Sequence, residues 1–149
     1  MAISSAICSS FKQELLQGKH SLDTSGNGGD TFKLAMFTSS ASLGAATTAY
    51  STSNEISGSG YSAGGATLTN TGVGLDSTTA FTDFSDVSFT SASFTANGCL
   101  IYNTTMAGGS GTTNAVCVVA FGGDKTVSSG TFTIQFPTND ASSAIIRLT

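Results

Sequence analysis

Two hydrophobic periods divide the chain. Near the N-terminus Ile7, Phe11, Leu15 and Leu16 recur at three-to-four spacing, which predicts a helix over 4–17 with one apolar stripe. Gly18 follows as its stop, and Lys19 and His20 lie just beyond, where cations suit a helix C-terminus; the helical unit is therefore 4–18. After it the period shortens to two. Residues 31–38 send Thr31, Lys33, Ala35 and Phe37 one way and Phe32, Leu34, Met36 and Thr38 the other. Residues 131–136 alternate Thr-Phe-Thr-Ile-Gln-Phe, which predicts one buried and one wet face. The nearly continuous apolar run 115–121 predicts burial on both faces. Further strands are expected at 66–71, 80–84, 87–89, 92–96, 99–103 and 144–148. Asn97-Gly98 reads as a tight turn between two of them, and Pro137 ends the strand before it because it cannot donate to a ladder. Short strands punctuated by turns predict a mainly β chain: a single domain over 1–149, built as a β-sandwich or jelly-roll-like barrel with one N-terminal helix.

The stretch from 45 to 75 breaks this rhythm. It is small, polar and glycine-rich, with Tyr50, Ile56 and Tyr61 as isolated large side chains between 45 and 65. A structureless stretch this long is unusual in a compact domain and often binds something. It is therefore expected to be a long loop or arm at 45–65, with Tyr50, Ile56 and Tyr61 as partner-binding anchors.

Composition narrows the function classes. Only 9% of the 149 residues are charged, against a usual share of about 25%, and Ser and Thr fill the gap. Ten Phe and a 39% hydrophobic share require a core, which argues against disorder. The net charge is −4 and the five basic residues are scattered, so no nucleic-acid footprint is present. No apolar run is long enough to span a membrane as a helix. The N-terminus has no basic region ahead of its broken apolar stretch, so no cleaved signal is expected. Cys8, Cys99 and Cys117 are odd in number and widely spaced, with no CxxC. They read as buried free thiols of a protein made in a reducing cytoplasm.

Candidate chemistry is sparse. The glycines of 58–64 miss the dinucleotide spacing and no helix follows them. In Gly122-Gly123-Asp124-Lys125 the aspartate interrupts a phosphate-loop ending, so a turn between strands is expected. His20 is the only histidine, with no nucleophile elbow to serve. Asp76, Asp83 and Asp86 lie close in sequence, but no calcium-loop pattern holds them. Asn103-Thr-Thr105 matches a glycosylation sequon, which has meaning only in a secreted chain. No catalytic residue, cofactor site or metal site is expected, and the reading is of a non-enzyme.

The segments 11–20 (FKQELLQGKH), 30–40 (DTFKLAMFTSS), 55–65 (EISGSGYSAGG), 99–103 (CLIYN) and 132–137 (FTIQFP) run in order along most of the chain. Together they resemble a group of small β-rich virion structural proteins of tailed bacteriophages, similar to capsid decoration proteins. That group typically carries a basic residue where this chain has Asn97. The resemblance implies a non-enzymatic virion component made in the host cytoplasm. The favoured role is a capsid decoration or cement protein stabilising the head shell, with a tail adaptor or fibre component contacting the host surface as the alternative. It also implies as partners the major capsid protein, copies of the chain itself as a homo-oligomer, or both, and neither nucleic acid nor membrane.

Overall fold

The computed structural model describes residues 2–24, 29–106 and 113–149. Its elements in order are β1 (Ala6–Ile7), α1 (Ser9–Leu16), β2 (Phe32–Phe37), β3 (Ala66–Thr67), β4 (Asn70–Asp76), β5 (Thr79–Phe84), β6 (Val87–Asn103), β7 (Ala115–Ile134) and β8 (Ile146–Leu148). The strands form two antiparallel sheets, a five-stranded one ordered β1-β7-β6-β2-β3 and a three-stranded one ordered β4-β5-β8. The chain is a β-sandwich with one short helix, and no barrel closes among the described residues.

The helix is shorter than its stripe predicts. Ala6 and Ile7 pair with Val118 and Cys117 at the edge of the large sheet, so the first residues are strand and the helix starts only after Cys8. Its end follows the expectation. Gly18 adopts φ +70°, its N–H bonds the Leu15 carbonyl, and the Lys19 N–H reaches the Glu14 carbonyl. This reciprocal pattern requires a left-handed residue at position 18. Phe11 is buried and its ring lies 4.8 Å from that of His20. The Ser25–Gly28 part of the glycine loop lies outside the described residues.

The largest departure concerns β6 and β7. Three expected strands, 87–89, 92–96 and 99–103, are one strand, and Asn97-Gly98 sits inside it rather than at a turn. Gly98 is there because the Ile3 side chain and the Val119 carbonyl crowd it: a Cβ would stand 2.7 Å from Ile3 Cγ2 and 2.8 Å from the carbonyl oxygen. The expected turn at Gly122–Lys125 is likewise inside β7. Gly98 pairs with Ala120 and Ala96 with Lys125. Residues 121–124 therefore bulge against Asn97 alone, and Asn97 Nδ2 donates to Asp124 Oδ1 at 2.8 Å. Bulges increase twist and bend a strand, and the effect here is large. Val119 and Ile134 would be about 50 Å apart on a straight strand, yet both line one cleft. The hairpin doubles back, and Phe89, Phe94, Phe132 and Phe121 follow one another in edge-on and tilted ring contacts with centroids 5.2–6.2 Å apart.

β2 lies between β6 and the short edge strand β3. It pairs with β6 from Phe32↔Asn103 to Phe37↔Gly98 and with β3 on its other side. Phe32, Leu34, Ala35, Met36 and Phe37 are all buried, so both faces are covered. The alternation at 131–136 holds, with Phe132, Ile134 and Phe136 packed on the core and Thr131, Thr133 and Gln135 exposed. Within the polar middle, 70–76 is a strand rather than loop, paired with β5 through a turn in which Ser77 has φ 53°. The Phe81 ring lies across Gly74, 2.5 Å from where a Cβ would be, so the bare glycine is covered by an aromatic neighbour.

Candidate functional site

Tyr50, Ile56 and Tyr61 are drawn together by the chain itself. Ile56 is only 5% exposed and belongs to the core, and its N–H bonds the Met36 carbonyl at 3.0 Å. Glu55 sits at the centre of a clasp. Its Oε2 accepts from the Tyr50 hydroxyl at 2.6 Å. Its Oε1 accepts from the Tyr61 hydroxyl at 2.6 Å and from the Gly64 N–H at 2.7 Å. The Tyr61 oxygen also accepts from the Met36 N–H at 2.9 Å, while the Tyr102 hydroxyl donates to the Gly64 carbonyl at 2.7 Å. The Tyr50 and Tyr102 rings stack at 4.5 Å and 9°. Burial and the Glu55 carboxylate push the Tyr50 and Tyr61 hydroxyls well above the ordinary phenol range, so both stay protonated donors.

Gly65 lets the loop lie flat on the sheet, since a Cβ there would be 1.7 Å from the Leu34 carbonyl oxygen. The segment 45–65 is irregular and packs onto its own domain, and Tyr50, Ile56 and Tyr61 make the contacts described here inside their own fold. The sequence reading missed Glu55, the residue that organises them; a lone carboxylate between two tyrosines was the available signal.

A second buried network joins the helix to the sheet. His20 Nε2 lies 2.9 Å from Glu14 Oε2, and Asn103 Nδ2 donates to His20 Nδ1 at 3.0 Å and to Asp30 Oδ2 at 2.7 Å. Those contacts assign the proton of the neutral ring to Nε2. His20 thus holds the helix end, with no nucleophile among its described partners. The sequon asparagine is this same Asn103, buried and bonded on both sides. Asp83 is fully buried; its two oxygens accept from the Phe84 N–H at 2.8 Å and the Ile145 N–H at 3.1 Å. Burial raises its carboxyl above the ordinary range. Asp86 accepts from the Phe136 N–H at 2.7 Å, while Asp76 stands apart at the β4–β5 tip. Among the described residues no group of three or more His, Cys, Asp or Glu is placed to hold a metal ion.

The three cysteines are free and buried. Cys99 and Cys117 border a 460 Å³ cleft between β1 and the stretch from Ile134 to Ile145, with Val119, Phe136 and Pro137 also in its wall. Burial raises Cys8 to about 11 and Cys99 to about 12, and Cys117 rises for the same reason. All three are therefore thiols, not thiolates, and poor nucleophiles.

What remains open is apolar. On the three-stranded sheet Leu75 faces Ala80 and Leu148 across one rung, and Val73 faces Thr82 and Ile146 across the next, so all six share a face. At its inner end that face is sealed: Phe84 packs on Phe32 of β2, and Thr82 and Ile146 are buried. Toward the tip it runs out into water, with Val73 57%, Leu75 72% and Leu148 55% exposed. Leu15 and Leu22 form the other wall of a 220 Å³ notch against it. Leu16, next on the helix, is 92% exposed. Val73, Leu75 and Leu148, three of the four exposed large apolar side chains among the described residues, thus share this face. The sequence held a signal, Val73 and Leu75 alternating with glycines before a turn, but it lay within the stretch read as loop. No protein-family model, no curated protein and no solved structure matches the chain.

Proposed function

We propose that this chain is a non-enzymatic structural protein of a tailed-bacteriophage virion, acting as a capsid decoration or cement protein that adheres through complementary surface. The observation that supports it is the face carrying Val73, Leu75 and Leu148. A protein whose task is adhesion needs an apolar surface left in water; contiguous patches of that kind mark association sites. Binding the assembled shell but not free subunits would stabilise the shell by mass action, and many copies on a symmetric lattice make weak contacts add up. The phage assignment itself rests on the resemblance of the segments 11–20, 30–40, 55–65, 99–103 and 132–137.

The test is quantitative mass spectrometry of purified particles of the virus encoding the chain, with the wild type and with Val73→Asp/Leu75→Asp. Hundreds of copies per particle, lost in the double variant, are expected. A dozen copies or fewer would move the protein to the tail, and absence from particles would overturn the virion reading.

A further inference from the structure

His20, Glu14 and Asn103 are all buried where the end of α1 meets the end of β6, and their hydrogen bonds leave one ring nitrogen no place for a proton. The Asn103 amide is fixed from two sides. Its Nδ2 donates to Asp30 Oδ2 at 2.7 Å, and its Oδ1 accepts from the Thr105 N–H at 2.9 Å. Turning the amide over would set an oxygen against a carboxylate and an NH2 group against an N–H. His20 Nδ1, 3.0 Å from Asn103 Nδ2, is therefore held as an acceptor. Asp30 is committed as well: Oδ2 also accepts from the Ser21 N–H at 2.7 Å, and Oδ1 from the Thr105 hydroxyl at 3.3 Å.

We propose that His20 is an acid-operated latch: a proton on Nδ1 unfastens the helix end from the Asn103 end of β6. An imidazolium donates at both nitrogens. Toward Glu14 the added charge only strengthens the bond already present at 2.9 Å. Toward Asn103 it sets donor against donor. Either the ring stays with Glu14 and parts from Asn103, or Asn103 gives up Asp30 and Thr105, because a buried donor left facing a donor is costly. Both outcomes open the seam between helix and sheet. Glu14 from α1 and Asp30 from the loop ahead of β2 are the titratable groups bonded into the cluster. Half-exposed Lys19 precedes the ring in the chain, and Phe11 covers the ring 4.8 Å away. β6 supplies Asn103, which does not titrate, and β7, which packs on the helix, has its charges at Asp124 and Lys125, exposed in the bulge. Leu22 lies two residues beyond His20 and with Leu15 walls the notch beside the apolar face. Acid thus moves one border of that face while β2 and β6 keep their pairing.

The chain has a single histidine, so its ring nitrogens give unambiguous signals in nitrogen NMR of the isotope-labelled full chain. The titration runs from about pH 8 to about pH 5, the range in which a histidine changes charge. At the alkaline end Nδ1 should be bare and Nε2 protonated. As the ring gains its second proton, the Ser21 and Thr105 amides and the Asn103 side-chain amide should shift with the same midpoint. The Thr105 amide should lose roughly tenfold or more of its protection from hydrogen exchange, while the β2 amides keep theirs. His20→Gln offers an oxygen to Asn103 and a donor to Glu14 without titrating, and should hold these signals constant. If that variant fails to fold, the wild-type titration decides alone. A neutral ring with its proton on Nδ1, a ring still neutral at the acid end, or a ring that protonates while the Asn103 and Thr105 signals stand still overturns the inference. So does the same pH dependence persisting in His20→Gln, which would assign it to Glu14 or Asp30.

Discussion

Residues 45–65 and the β4–β5 hairpin are near neighbours in the chain and are written in the same alphabet of Gly, Ser, Thr and a few large side chains. One is irregular and sealed; the other is regular and open. In the first, a single carboxylate satisfies three donors and pulls Tyr50 and Tyr61 inward, and Ile56 enters the core. In the second, the ladder satisfies the backbone, but the sheet reaches past its cover and Leu75 stays in water. Regularity of backbone and closure of the core are thus separate properties. A loop can be an integral part of a fold, while a strand can be the part that is available to others.

The sharpest way to break this contrast is to empty the loop. Replacing Tyr50, Ile56 and Tyr61 together by Ala removes three large packed side chains, and single truncations of that kind cost about 2–5 kcal/mol each when buried. The sum rivals the whole stability of a domain, so the triple variant should lose its cooperative thermal transition by circular dichroism. A melting temperature near that of the wild type would show that the loop is dispensable after all.

A smaller effect is expected at the clasp itself. Glu55→Gln keeps one acceptor oxygen for Tyr61 and Gly64 but presents an amide nitrogen toward Tyr50, costing about 1–3 kcal/mol in urea unfolding. No measurable loss would mean that the Tyr50 hydroxyl finds another partner freely.

Asp83 gives a pH signature. Its folded pKa is raised by burial, so the charged form is disfavoured in the fold. The stabilising contribution is therefore complete below the unfolded value of about 3.9 and is lost as pH rises through the higher folded value. Relative to Asp83→Asn, the wild type should gain stability as pH falls from 7 toward the ordinary carboxylate range. A parallel pair of stability-against-pH curves would contradict it.

The smallest effect lies at the open face. Val73→Ser/Leu75→Ser should change unfolding free energy by no more than about 0.5 kcal/mol, as exposed substitutions do, while lowering occupancy on purified particles. A destabilisation of several kcal/mol would show that the tip is packed in solution.

Local signals are legible in the sequence and distant ones are not. The Thr-Phe-Thr-Ile-Gln-Phe alternation and the glycine stop at Gly18 are decided within a few residues, and both hold. Asn97-Gly98 misleads because the dipeptide favours turns locally, whereas Gly98 answers to Ile3 and Val119, both far away in sequence. The helix start fails likewise, since Ala6 and Ile7 are claimed by partners near the other end of the chain. For the candidate surface, apolar alternation could mark Val73 and Leu75, but only the three-dimensional arrangement shows how far they stand in water. The clasp is hidden because polar contacts between single residues leave no periodicity.

The doubled-back β6–β7 hairpin has a kinetic consequence. It is connected only at the 104–114 end, and its last pair, Val87↔Ile134, joins residues 47 positions apart (134 minus 87). Long-range closures of this kind are slow because the intervening chain must be ordered first. The pairing should zip from Tyr102↔Ala115 outward, and the bulge at 121–124 is a natural place for it to pause. Refolding followed by pulsed hydrogen exchange should therefore protect the amides of β2 and the 115–120 half of β7 before those of 126–134. Under native conditions the same outer half should open first, exposing the phenylalanine-lined bend while β2 stays closed.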